Sequence, residues 1–251
     1  QYGAQPPIEI LRQWMDHKGW YAYYEKDPPF LELIDIQFIT AMGPPGGGKN
    51  QITPRFTRHF NLISLAPFEN STLSVIFTAI IDWYLKGTAL MTAGKAVVNA
   101  SVDLYNTVMS SFRPTPAKSH YTFNLRDLSK VFQGVLQVNK EKLVDQRKLI
   151  RLWCHECIRV FQDRLINNED RTKFNELVKE QIKEKFKMDP KEILNTDLLM
   201  FGDFLDPNPD LRTYEEIPDI DTATNSINAY LAEFNNNAKR PMNLVMFKFA
   251  I

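Results

Sequence analysis

YTFNLRDLSKVFQGVL, residues 121–136, reads as a capped amphipathic helix, and that reading sets the fold class for most of the chain. Asn124 is a favourable N-cap, because its side-chain oxygen can accept from a backbone N–H that a helix start leaves without a partner. Asp127 stands three residues on, like the acidic half of a capping box. Leu125, Leu128, Val131, Phe132, Val135 and Leu136 then recur at helical spacing and predict a single buried stripe.

Working outward, the same periodicity predicts helices over 70–86, 93–112, 125–138, 140–166, 169–187 and 220–236. Breakers separate them at Gly87, Pro114, Pro116, Pro190, Pro207, Pro209 and Pro218. MFGDFLDPNPDLRTYEEIPDI (200–220) interrupts the series with a short strand and a loop. The first quarter differs. PPIEILRQWMDH (6–17) opens with prolines suited to a helix start, and GWYAYYEKDPPF (19–30) reads as a hairpin or loop. LELIDIQFITAM (31–42) is apolar and β-rich, predicting a buried strand, and FNLISLA (60–66) predicts a second, bounded by Pro67. Between them Thr53 can cap a short turn with Pro54 at its first position, placing Arg55 and Arg58 on one face. The expected class is α/β plus α.

At 251 residues and 44% hydrophobic content the chain can bury a sizeable core. Thirty basic and thirty acidic residues cancel, so no global field draws it to nucleic acid or to an anionic membrane. No 18-residue apolar run occurs and QYGAQPPIEI lacks the order of a signal peptide, which predicts a soluble, intracellular protein. The absence of an initial Met and the apolar MNLVMFKFAI (242–251) predict a piece of something longer.

Two motifs invite sharper chemistry. GPPGGGKN (43–50) places Gly43, Gly48 and Lys49 where a P-loop needs them, but Asn50 replaces the hydroxyl that holds Mg²⁺, and Pro54 follows too soon for a long helix. A loop leaving the preceding strand is the better reading. Cys154 and Cys157 in WCHEC have only His155 close by, and they sit among Leu149, Leu152, Trp153, Val160 and Phe161 at helical spacing; buried thiols are expected, and no metal site.

Arg126 falls in the first turn of its helix, where the macrodipole disfavours a cation by roughly 0.3–1 kcal/mol. Either an anion is held at the same helix end, gripped by the guanidinium, or Arg126 pairs with Asp127 or another surface carboxylate. Arg55 and Arg58 can likewise project into a neighbouring site or form a solvated face.

YGAQPPIEILRQW, DIQFITAMGPPGGGKN, TPRFTRHFN, FNLRDLSKVFQG and RLWCHECIRVFQDRL resemble, in order and spacing, the third AAA+ module of a dynein heavy chain. FGDFLDPNPDL is more similar to axonemal forms, of a single-headed inner-arm type. In this family the module's own P-loop and its metal-binding aspartate strand precede YGAQPP. The resemblance therefore implies the C-terminal part of an AAA+ α/β core over 1–66, a helical lid over 67–240 and the start of the next module over 241–251. GPPGGGKN becomes the loop after the sensor-1 strand, offering Gly43 where many AAA+ proteins carry Asn. Arg126 matches a sensor-2 arginine, expected to touch nucleotide of its own module, and Arg55 matches an arginine finger, expected to act in trans on the preceding one.

The function implied by the resemblance is that of an ATP-driven, minus-end-directed microtubule motor of cilia and flagella, to whose ring this segment contributes lid and interface elements. The complete module is expected to use ATP or ADP with Mg²⁺, and the segment alone to bind none. Expected partners are adjacent AAA+ modules of the same chain, microtubules and dynein intermediate and light chains, in the cytoskeleton of the axoneme, without nucleic acid or membrane. The competing reading is a helical scaffold for protein interactions, its arginines structural.

Overall fold

The computed structural model describes residues 5–43, 52–195, 199–206 and 212–243. The chain divides into two compact units, Gln1–Pro67 and Phe68–Ile251. The P-loop-like residues Gly48, Lys49 and Asn50 lie outside the described residues, as do Pro207, Pro209 and most of the closing apolar segment.

In the first unit α1 (Pro6–His17) starts with its prolines in the first turn and ends at Lys18, which adopts the left-handed conformation (φ 63°). It leads directly into β1 (Gly19–Tyr21), paired antiparallel with β2 (Phe30–Glu32) so that Trp20 faces Leu31. Gly19 is required by close approach: a Cβ there would lie 2.3 Å from the Leu31 carbonyl oxygen. The strand expected over 31–42 is thus strand only at its first residues, and 60–66 forms none. The reason is physical. A strand buried on both faces needs hydrogen-bonding neighbours and covering layers, and among the described residues neither 34–42 nor 60–66 pairs with another strand, with Ile39 94% exposed and Leu65 88%. The short α2 (Pro54–Thr57) does form, with Pro54 at its first position, but Thr53 makes no side-chain capping bond.

The second unit is helical. α3 (Asn70–Tyr84) packs on α4 (Met91–Ser111), and α5 (Leu125–Val135) on α6 (Gln146–Phe161). α7 (Asn168–Gln181) runs into a π-helical turn at Ile182–Phe186 that ends on left-handed Lys187. Pro190 not only breaks the preceding helix but opens another, the short α8 (Pro190–Ile193). A two-residue hairpin pairs β3 (Phe201–Gly202) with β4 (Glu215–Glu216), and α9 (Ile220–Asn237) comes next. The helix expected over 140–166 is shorter, with 3-10 turns at Lys140–Lys142 and Gln162–Arg164 on either side, because Asp145 caps at Lys148 N and restarts the helix.

The stripe read from 121–136 is the one that packs. Leu128, Val131, Phe132 and Val135 are buried, Leu125 and Leu136 lie half-buried against them, and Phe132 stacks on Phe77 of α3 at 4.2 Å. α6 is enclosed nearly all round: Leu149, Leu152, Trp153 and Cys157 are buried with Ile150, Cys154 and Glu156. The Trp153 indole donates to Ser101 Oγ at 2.8 Å, and that hydroxyl donates to the Val97 carbonyl at 2.7 Å, which satisfies both polar groups inside the core.

Candidate functional site

α5 opens as its sequence dictates. Asn124 Oδ1 accepts from Arg126 N at 2.9 Å, and Asp127 Oδ2 accepts from Asn124 N at 3.0 Å, closing the reciprocal box. Arg126 is exposed on this first turn and has no ion-pair partner among the described residues. The carboxylate beside it is already engaged: Asp127 is buried and pairs with Arg164 Nη1 at 2.9 Å, with Lys130 farther away at 4.0 Å. Arg164 also lies over the Phe123 ring at 4.6 Å, and its Nη2 donates to the carbonyls of His120 and Thr122. One guanidinium therefore holds the chain entering α5 and neutralises the buried carboxylate, leaving Arg126 unneutralised at a helix N-terminus.

In the first unit the two arginines of TPRF-TR separate. Arg58 Nη2 meets Asp16 Oδ1 at 2.5 Å, and Asp16 in turn meets Arg12 Nη1 at 2.7 Å and His59 Nε2 at 2.9 Å. The hydrogen bond from Arg58 is the main reason that the Asp16 carboxyl sits below its ordinary pKa. Phe56 is buried, edge-on to Phe60 at 5.0 Å, and anchors the turn. Arg55, between anchor and brace, is exposed and without an ion pair among the described residues.

Cys154 and Cys157 are free, fully buried thiols whose pKa values burial raises, which removes the nucleophilic thiolate that redox chemistry needs. Among the described residues no group of His, Cys, Asp and Glu could hold a metal ion, and no helix is long and apolar enough to cross a membrane.

Two features escaped the sequence. One is Arg164, distant in sequence from the turn it organises. The other is a polar clasp around Glu156, which is fully buried. Its Oε2 accepts from Arg159 Nη2 at 2.7 Å and its Oε1 from Tyr214 Oη at 2.6 Å; Tyr214 Oη also lies 3.2 Å from His155 Nε2. Burial lowers the His155 pKa, disfavouring the protonated ring. The clasp needs Gly134: a Cβ there would fall 1.9 Å from Glu156 Oε2. The one local signal was a glycine inside an otherwise well-formed helix.

Residues 1–68 match the family model described as the P-loop containing dynein motor region, and residues 76–171 match that of the dynein heavy chain ATPase lid domain. The chain is 49% identical to dynein axonemal heavy chain 3 of Mus musculus, over 100% of this chain and 6% of that protein. It is 48% identical to its Homo sapiens counterpart, again over 100% and 6%, and 44% identical to dynein axonemal heavy chain 12 of Mus musculus, over 100% and 9%. It thus spans less than a tenth of the length of these relatives. A capped lid helix, an arginine-bearing turn in a separate unit and two successive family matches lead to one conclusion: the chain belongs to the dynein heavy chain family.

Proposed function

We propose that the chain is the core-and-lid portion of the third AAA+ module in an axonemal, inner-arm heavy chain, working in the ring of an ATP-driven, minus-end-directed microtubule motor. Arg126 acts as a sensor-2 arginine on ATP or ADP held with Mg²⁺ by the complete module. Arg55 acts in trans on nucleotide of the preceding module. The observation that carries this reading is the state of Arg126: a cation at a capped helix N-terminus whose adjacent carboxylate is taken by Arg164. Phosphate is the anion that both the helix end and the guanidinium favour. The exposed apolar runs around Ile39 and Leu65 support a place for the first unit within a larger α/β core.

The test is nucleotide retention in the complete motor. Arg126→Ala should weaken retention at this module by about 1.5–3 kcal/mol, the worth of a charge-assisted contact. Arg55→Ala should instead speed nucleotide release or slow hydrolysis at the preceding module. Unchanged nucleotide kinetics in both variants would favour the scaffold reading.

A further inference from the structure

In the second unit, where α3 and α5 end, an open groove of about 680 Å³ is lined by Trp83, Tyr84, Lys86, Lys140, Arg212 and Tyr214. Two of its lining side chains are held in place. Tyr84 Oη donates to the Val138 carbonyl at 2.5 Å, burial pushing the phenol pKa up to about 12, and Tyr214 Oη is tied to Glu156. Lys142 Nζ holds the strand leading into β4 through Thr213 Oγ1 at 2.9 Å and Glu215 at 2.8 Å.

The charges around this hairpin fall into two sets. Lys142 and Arg151 are paired with Glu215 and Glu216. Lys86, Lys140 and Arg212 have no carboxylate partner among the described residues; Lys140 Nζ makes a long 3.5 Å approach to the Lys86 carbonyl and Arg212 lies over the Tyr230 ring at 5.5 Å. The C-terminal ends of α3 and α5 offset about one charge between them, which leaves the groove cationic on a chain with no net charge. Trp83, 73% exposed at the same place, adds a flat apolar surface.

We propose that this groove docks an acidic peptide segment of a partner protein, its carboxylates meeting Lys86, Lys140 and Arg212 and an apolar or aromatic side chain covering Trp83. Charge complementarity selects acidic side chains, and aromatic contact area of this kind anchors interfaces. The open shape suits an extended chain rather than an enclosed small ligand. The two tied tyrosines need no further ordering on binding. The proposal is independent of the nucleotide reading, because Arg126 lies at the other end of α5, about 15 Å from Leu136 along the helix.

The experiment is fluorescence anisotropy of a fluorescein-labelled peptide of alternating Glu and Phe, titrated with the 251-residue chain. Saturable binding is expected, weakened at least tenfold by Lys140→Glu with Arg212→Glu and severalfold by Trp83→Ala, with unchanged far-UV circular dichroism. A Lys-for-Glu peptide should not bind. The milder pair Lys86→Gln and Arg212→Gln should give an intermediate loss, which separates charge from misfolding. Absence of saturable binding, insensitivity to these substitutions, or equal affinity for a single-stranded RNA of matching charge would overturn the proposal.

Discussion

Arg164 and Asp127 form a 2.9 Å ion pair across 37 positions of sequence (164 − 127), and this pair rather than any contact of Arg126 neutralises the first turn of α5. Removing it should leave a buried carboxylate without its cation. Arg164→Met, which keeps most of the apolar stem, should cost the helical unit about 1.5–3 kcal/mol in chemical denaturation. Arg126→Met should leave the midpoint unchanged or slightly raised, since a cation is lost from a helix N-terminus. The reverse ordering would make Arg126 the structural arginine.

Gly134→Ala tests the clasp from its other side. Alanine gains about 1 kcal/mol of intrinsic helix propensity over glycine, yet its methyl would meet Glu156 Oε2 at 1.9 Å. Overpacking of this kind typically costs about 1–3 kcal/mol, more when the displaced group is a buried charge. The variant should therefore melt below wild type. A rise in melting temperature would show that Glu156 can move aside freely.

His155 sets a pH dependence. Burial lowers its folded pKa below the ordinary value of about 6.5. Above that value both states carry a neutral ring. As pH falls below it, the unfolded state takes up a proton that the folded state refuses, so stability is lost progressively toward the lowered pKa. Asp163, whose pKa burial raises, works in the opposite sense: its contribution is present below the ordinary carboxylate range and fades as pH rises through its raised value. His155→Gln isolates the histidine: between pH 7 and pH 5 the urea midpoint should fall less in the variant than in wild type.

The two arginines of the turn at 54–58 should separate by titration. Arg58→Ala removes the principal hydrogen bond holding the Asp16 carboxyl below its ordinary pKa, so the Asp16 side-chain carbon resonance should titrate at higher pH. Stability from Asp16, present above the ordinary carboxylate range and lost as pH falls through the lowered value, should shrink with it. Arg55→Ala should leave the Asp16 titration where it was.

Much of this molecule is legible without any tertiary contact. Caps, prolines and helical spacing place α1, α3 to α5, α7 and α9 within a few residues and α6 by its middle, because those signals are local: Asn124 and Asp127 close their box between neighbours three positions apart, whatever lies beyond. The buried stripe of α5 and the buried thiols of α6 come from the same periodicity.

Tertiary structure alone decided the rest. Strand formation depends on a partner that the strand itself cannot encode, and of LELIDIQFITAM only Leu31 and Glu32 join the hairpin among the described residues, despite its β-rich composition. Side-chain pairing depends on positions brought together from afar: whether Asp127 would meet Arg126 beside it or Arg164 could not be read from spacing, nor could the closure of Tyr214 over Glu156 from 58 residues away. Local hydrogen-bonding geometry is written in consecutive residues, whereas the partner of a buried charge is settled only when the core closes around it.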